Sequence, residues 1–232
     1  DLDDNLLALP EEHPDRVSHH YSSALPGLLH AIIEANLVTV ATDNLRMELQ
    51  ELNPNIKVLP NFFDPDLWEV KALKYPKERE TTRILYMGSH THKPDLEMIM
   101  ETLNQLARKL PGKLKFIFIG VEPPEGLKKF AQVERVKDFT FVYDDFIQRF
   151  SQVEADIALA PLIDNAFNRS KSPIKFFEYT AIGLPVVASC VQPYLNVIED
   201  GKNGFLAKDE SDWIEKIELL INNSFLRTEF VR

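Results

Sequence analysis

The chain has 232 residues, 44% hydrophobic and 27% charged, a globular composition that excludes disordered, collagen-like and disulfide-stapled classes. Its 26 basic and 36 acidic side chains give a formal charge of −10, which argues against non-specific nucleic-acid binding, since that requires a basic footprint. The single cysteine, Cys190, follows the apolar run Val186, Val187 and Ala188 and reads as a small buried hydrophobe in a reducing compartment.

No run approaches 18 apolar residues and no signal peptide is visible. The chain opens on Asp1 rather than Met, so an upstream segment is expected to be missing. Over residues 23–35, Leu25, Leu28, Leu29, Ile32 and Ile33 recur at helical spacing. Residues 37–41 form a short β-rich run. Thr42-Asp43 then caps a helix carrying Leu45, Met47, Leu49 and Leu52, which Asn53-Pro54-Asn55 ends. Residues 56–59 are a second strand. Residues 69–82 are polar, contain Pro76 and lack a period, and are expected to be a linker.

A regular rhythm follows. Strands are expected at 83–87, 114–119, 139–142, 157–160 and 186–189. Helices are expected from Asp95, around Leu127, after Tyr143-Asp144-Asp145 and over 174–182. Gly204-Phe205-Leu206 precedes an amphipathic helix with Trp213, Ile214, Ile217, Leu220 and Ile221. The alternation predicts an α/β fold: a Rossmann-like parallel sheet with helices on both faces, preceded by a partial α/β lobe. Ligands in such sheets bind beyond the carboxyl ends of the strands, which selects 88–93, 120–122, 143–145 and 162–175 as the candidate rim.

The rim residues carry distinct chemistry. Gly88 lets the backbone approach a ligand, and Lys93 stands at a helix start suited to a phosphate; taken alone it reads more readily as a solvated loop lysine. Arg169, Lys171 and Lys175 concentrate positive charge in an acidic chain, and Ser172-Pro173 reads as an N-cap with proline at the first helical position. Glu178, one turn into that helix, is placed to accept both hydroxyls of a ribose. The same segment can also be read as a capped helix with a solvated basic start. Tyr143 can face a base or sugar, or simply open a turn. His90 and His92 lack a third ligand at metal spacing, so no metal is expected. Asp1, Asp3 and Asp4 form a D-x-D-D run that matches either a polar loop lining a cleft or the nucleophile motif of haloacid-dehalogenase-type phosphatases; the latter needs a preceding strand and leaves 168–178 unexplained.

Residues 175–189 (KFFEYTAIGLPVVAS) closely resemble the K-x-x-E-Y-x-A-x-G-x-P-V-V-A-S stretch of group 1 glycosyltransferases of the GT-B fold. Residues 199–206 are similar to that family's E-x-G-x-N-G-x-L run, residues 38–42 and 58–64 to the end of its first lobe, and residues 83–88 to the first strand of its second lobe. The resemblance implies the end of an acceptor-side lobe over 1–62 and a nucleotide-sugar-binding lobe over 63–232. It implies a glycosyltransferase acting without metal or other cofactor on a nucleotide-diphosphate sugar and a glycan or lipid-linked acceptor, in the cytoplasm and in peripheral contact with the inner face of the membrane. By position, Glu178 matches the second Glu of the family's E-x7-E motif, which holds the donor ribose, while Ser170 stands where the first Glu belongs. Lys171, Ser172 and Lys175 are then the substitutes for diphosphate and sugar contacts, with Lys171 and Lys175 in the catalytic role. Lys93 corresponds to the basic residue after the first glycine loop, and Asp3 and Asp4 to an acceptor-side acidic loop. A donor-binding fragment without transfer activity is a further alternative.

Overall fold

The computed structural model describes residues 1–68, 80–136, 140 and 142–232. The first part begins with a 3-10 turn at Leu6–Ala8 and the short helix α1 (Pro14–Val17), then α2 (Leu25–Glu34), β1 (Val38–Val40), α3 (Asp43–Leu49) and β2 (Ile56–Val58). Strands β1 and β2 pair in parallel, Val38 opposite Ile56, with α3 as the crossover. Thr42 starts α3 as expected: its hydroxyl accepts from the Leu45 N–H at 3.1 Å. Ile32, Val38, Val40, Leu45 and Leu49 make a small separate core.

The larger part runs β3 (Thr82–Met87), a 3-10 turn at His90–His92, α4 (Lys93–Met98), α5 (Met100–Lys109), β4 (Leu114–Ile119), a 3-10 turn at Leu127–Lys129 and β5 (Gln132–Val136). It continues with α6 (Tyr143–Ser151), β6 (Ile157–Ala160), α7 (Ala166–Arg169), α8 (Ile174–Ala181), β7 (Val186–Ser189), β8 (Phe205–Ala207), α9 (Glu210–Asn222) and α10 (Ser224–Glu229). The six strands are parallel, in the order β5-β4-β3-β6-β7-β8. Both faces are covered, as the uniformly apolar strand runs require. On β3 the pleat sends Leu85 and Met87 to the side of α6 and α8, where Phe146, Phe150, Phe176 and Tyr179 pack. It sends Ile84 and Tyr86 to the side of α4, α5 and α9, where Leu96, Leu103, Leu106, Trp213, Ile217 and Leu220 pack.

Three local expectations need correction. Of the strand expected at 139–142, residues 139 and 141 lie outside the described residues and Val142 is the N-cap of α6; among the described residues the outermost strand is β5. Its sequence, QVERV, has no apolar run: only Val133 and Val136 are half-buried, one against each face's core, while Gln132, Glu134 and Arg135 are exposed. The first helix of this part begins at Lys93 rather than Asp95, since the 3-10 turn through His92 leads directly into it. Of the linker expected at 69–82, residues 69–79 lie outside the described residues, and Thr82 already belongs to β3.

Candidate functional site

The strand order places a switch point between β3 and β6. From β3 the chain moves outward to β4 and β5, then returns to the other side of β3 at β6 and continues to β7 and β8. Connections leave neighbouring carboxyl ends in opposite directions there, opening a crevice. Tyr179 of α8 stitches its floor: the Met87 N–H donates to the tyrosine hydroxyl at 2.8 Å, and that hydroxyl donates to the Leu159 carbonyl at 3.2 Å. Gly88 opens the loop above β3. A Cβ on it would lie 2.8 Å from the Tyr86 hydroxyl, so the close backbone approach requires glycine.

Helix α8 begins at this crevice. Lys175 and Glu178 are three residues apart and share a face. The Lys175 ammonium is enclosed, has no hydrogen-bond partner among the described residues and lies 5.5 Å from the centre of the Tyr86 ring. Burial, reinforced by the nearby Lys171 charge, brings its pKa down to about 8 against the opposing pull of Asp95 and Glu178. Glu178 is 8% exposed, and burial raises its carboxyl to about 7 although Lys175 favours the ionised form. Neither group reaches a low-energy charged state by itself. An unmet buried cation beside a reluctant acid marks a place where a ligand is expected to complete the electrostatics.

Lys171 stands at the same mouth. Its ammonium is 2.9 Å from Asp4 Oδ1 and 4.2 Å from the centre of the Phe167 ring. The first part of the chain is thereby tied to the basic segment. Thr42 donates to the Ser170 carbonyl at 2.7 Å, Asn44 to the Arg169 carbonyl at 2.8 Å, and Asn61 to the Ser172 hydroxyl at 3.0 Å.

The buried Asp95 organises three elements. Its Oδ2 lies 2.8 Å from His92 Nδ1, and its Oδ1 accepts from the Ile163 N–H at 2.8 Å and from Asn168 Nδ2 at 3.2 Å. The Asn168 amide also donates to the Ile163 carbonyl at 2.9 Å, which holds the loop after β6 against the turn after β3.

The residues singled out from sequence thus divide. Lys175 is coupled electrostatically to Lys171 and Glu178, and like Gly88 it lies against Tyr86. Tyr143 is the first residue of α6; its hydroxyl accepts from Trp68 Nε1 at 3.2 Å, and Glu178 and Asp64 act on it electrostatically. Lys93 lies outside the group, exposed and 3.5 Å from Glu97. Arg169 is likewise exposed and bidentate on Asp164, at 2.6 and 2.9 Å. Ser170 is fully buried, and its hydroxyl donates to the Ala166 carbonyl at 3.0 Å, so its side chain closes α7 instead of entering the crevice. Ser172 does not cap α8: Pro173 occupies the N-cap, without a side-chain cap bond, and the serine hydroxyl is engaged by Asn61. Asp3 is exposed, while Asp1 accepts from the Thr39 hydroxyl at 2.8 Å. From sequence His92 stands out only as a metal ligand, and Asp95 and His13 do not stand out at all. The His92–Asp95 spacing of three across a helix start was the available signal.

The sequence profile described as glycosyl transferases group 1 matches residues 81–223, more than half of the chain. No curated protein matches. Among solved structures, the chain is similar to a mutant of S. aureus TarM in complex with fondaparinux, alpha-GlcNAc-glycerol and UDP, with 18% identity and a TM-score of 0.64 over 90% of this chain and 41% of that one. It is similar to WaaG, a glycosyltransferase involved in lipopolysaccharide biosynthesis, with 17% identity and a TM-score of 0.65 over 95% and 62%. It is also similar to Anabaena HepE in complex with UDP-glucose, with 14% identity and a TM-score of 0.67 over 99% and 64%. At these identities the likeness is one of fold, and the chain spans less than two thirds of each of these structures. The shared fold covers 90% to 99% of this chain, and the profile match over the six strands of its larger part establishes that the chain belongs to the group 1 glycosyl transferases.

Proposed function

We propose that the chain carries the donor site of a glycosyltransferase, which moves a sugar from a nucleotide diphosphate to a glycan or lipid-linked acceptor. The observation that carries this is the enclosed, unpartnered Lys175 ammonium at the switch point, with Lys171 at the mouth and Glu178 one turn along. In the transfer, the bond between the sugar's anomeric carbon and the diphosphate oxygen breaks, and its electron pair stays on the diphosphate. A bond from an acceptor hydroxyl oxygen forms, and that hydroxyl loses its proton. The two fixed ammonium groups stabilise the charge that builds on the leaving diphosphate, and they do so without reorganising. Glu178, when ionised, accepts from the ribose hydroxyls. In this scheme the cations are lysines, and transfer needs no metal or other cofactor.

The solved relatives support the donor class, since TarM and HepE were crystallised with UDP or UDP-glucose. They also support a role in building envelope or surface polysaccharides, WaaG being involved in lipopolysaccharide biosynthesis. Residues 1–62 then belong to an acceptor-side lobe and 63–232 to the donor lobe. Contact with a lipid-linked acceptor is proposed to be peripheral, at the cytoplasmic face; among the described residues no helix is long and apolar enough to cross a membrane.

The test is calorimetry of this chain with UDP, GDP and their sugars, alongside a transfer assay in the intact enzyme. Binding of one nucleotide class is expected, with Lys175→Ala lowering turnover by about 10²–10³. Binding without transfer by this chain would identify it as a donor module. Full turnover in the Lys175→Ala enzyme would remove the leaving-group role.

A further inference from the structure

Strands β3 and β6 pair only from Ile84 with Ile157 to Tyr86 with Leu159. Beyond that point each follows its outer neighbour: Met87 runs against Ile119 of β4, and Ala160 against Ala188 of β7. The Met87 N–H and the Leu159 carbonyl stand at this fork. The Tyr179 hydroxyl meets both, accepting from the first at 2.8 Å and donating to the second at 3.2 Å. A hydroxyl can do the two things at once. After β6 the Leu162 N–H is met in a similar way by the Ser189 hydroxyl at the end of β7, at 2.8 Å.

What sets Tyr179 apart from Ser189 is the helix that carries it. Tyr179 lies four residues after Lys175 on α8, so the two share a face. The start of α8 has no side-chain cap bond to hold it. The helix also carries a cost, because the Lys175 ammonium is enclosed without a hydrogen-bond partner among the described residues. Its neighbours come from several elements. Asp95 of α4, Lys171 before α8 and Glu178 of α8 act on it electrostatically, the Tyr86 ring of β3 lies 5.5 Å away, and its charge acts on His92 in the turn after β3. Turning α8 outward would return the ammonium to water. Such a turn would also break both bonds of the Tyr179 hydroxyl and leave a buried N–H unmet. The Tyr179 ring is fully buried and packs on Phe150, 6.0 Å between centroids. That packing is non-directional, whereas the two hydrogen bonds fix a direction.

We propose that Tyr179 is a positioning residue: its hydroxyl, set into the fork between β3 and β6, holds α8 in the orientation that keeps the Lys175 ammonium enclosed beside Tyr86. Through Lys175 it acts on the donor site proposed above, and only its effect on nucleotides rests on that reading.

Tyr179→Phe keeps the ring and removes the hydroxyl. The readout is the titration of the Lys175 side chain by carbon and nitrogen NMR, with Lys175→Met assigning the signal. In the wild type the midpoint is expected at about 8, and in the phenylalanine variant it moves up toward 10.5 as the ammonium regains water. Burial pushes the Tyr179 phenol well above its ordinary value, so the hydroxyl remains a donor across this range. Whichever of UDP and GDP the wild type binds should lose about tenfold or more in affinity at pH 7, the loss of one hydrogen bond to a charged group. Ser189→Ala is the control. It removes a buried bond of the same kind and lowers Tm, yet leaves the Lys175 titration in place. An unchanged Lys175 titration in folded Tyr179→Phe overturns the inference, as does an equal shift in Ser189→Ala. Proton spectra of the wild type check it without any variant: a slowly exchanging Tyr179 hydroxyl proton close to the Met87 amide is expected, and a hydroxyl lost to rapid exchange overturns it. Failure of the wild type to bind either diphosphate overturns the donor reading, while the Lys175 titration still decides the role of Tyr179.

Discussion

Two polar regions of the same parallel-sheet lobe behave oppositely. At the β5 edge Glu134 pairs with Lys115 of the neighbouring strand, and Arg135 with Glu122 in the loop after β4. At the crevice between β3 and β6, Lys175 and Glu178 are buried, and no hydrogen bond to the lysine ammonium forms among the described residues. The edge charges keep the sheet from pairing onward and are answered by their neighbours. The crevice charges are held away from water without an answer. That costs stability, and such cost is characteristic of a binding site rather than of a structural device.

The largest expected effect follows from Lys175. Its drop from 10.5 to about 8 corresponds to about 3 kcal/mol of disfavoured charge in the folded state. Because the folded value lies below the unfolded one, this penalty is present in full below pH 8 and disappears as pH rises through 10.5. Lys175→Met should therefore stabilise the chain at pH 7 by up to about 3 kcal/mol, raising Tm by several degrees, while nucleotide binding collapses. Denaturant melts at pH 7 and pH 10.5 check both the sign and the closing of the gap. A destabilised methionine variant would mean that the ammonium is answered after all, and the contrast with the edge would fail.

The second prediction concerns Glu178, raised to about 7 by burial. Its carboxylate form, which a ribose requires, is lost as pH falls through 7, and the Lys175 cation is lost as pH rises through 8. Nucleotide affinity should be greatest between these values and fall on either side. Glu178→Gln should lower affinity at pH 7.5 by about 1.5–3 kcal/mol, the range for a hydrogen bond to a charged group, and flatten the acid limb only. Calorimetry across pH 6–9 separates the limbs. An acid limb that persists in the glutamine variant would assign it to another group.

A third substitution tests the floor of the crevice. Gly88→Ala would bring a methyl to within 2.8 Å of the Tyr86 hydroxyl and 3.3 Å of His92 Cβ. Tyr86 is 1% exposed and packed against Phe118, so relief must come from the turn after β3. Overpacking of this kind costs about 1–3 kcal/mol. The displaced turn borders the crevice, so nucleotide affinity should fall together with stability, which calorimetry with UDP checks.

These cases show which part of the molecule was legible in the sequence. The apolar runs of β3, β4, β6 and β7 declared themselves because strands covered on both faces need them. The basic segment before α8 stood out by its charge. What stayed hidden was orientation. Lys93 and Lys175 are both lysines near helix starts, yet one turns out to Glu97 and the other inward beside Tyr86, and only the packing of α4 and α8 separates them. β5 was hidden because an edge strand has half the burial and no apolar signature. A small cleft lined by His13, Thr91, His92 and Lys171 joins residues from the two parts of the chain, a juxtaposition no local spacing announces.

The smallest expected effect lies at the edge and sets the scale for the rest. Lys115 and Glu134 lie on adjacent strands as a diagonal pair, Lys115 directly facing Gln132 and Glu134 facing Ile117. Their side chains are 26% and 47% exposed, so water screens the pair. Lys115→Met should change stability by about 1 kcal/mol or less, because exposed pairs contribute little and the methionine retains the apolar stem that packs on the strand. Nucleotide affinity should not move. Placed beside Lys175→Met, the same chemical change in the same lobe then gives two different outcomes: a large gain in stability with loss of ligand at the crevice, and near silence at the edge. Equal responses at the two positions would show that burial without a partner does not distinguish them, and the assignment of the crevice as the ligand site would lose its physical basis.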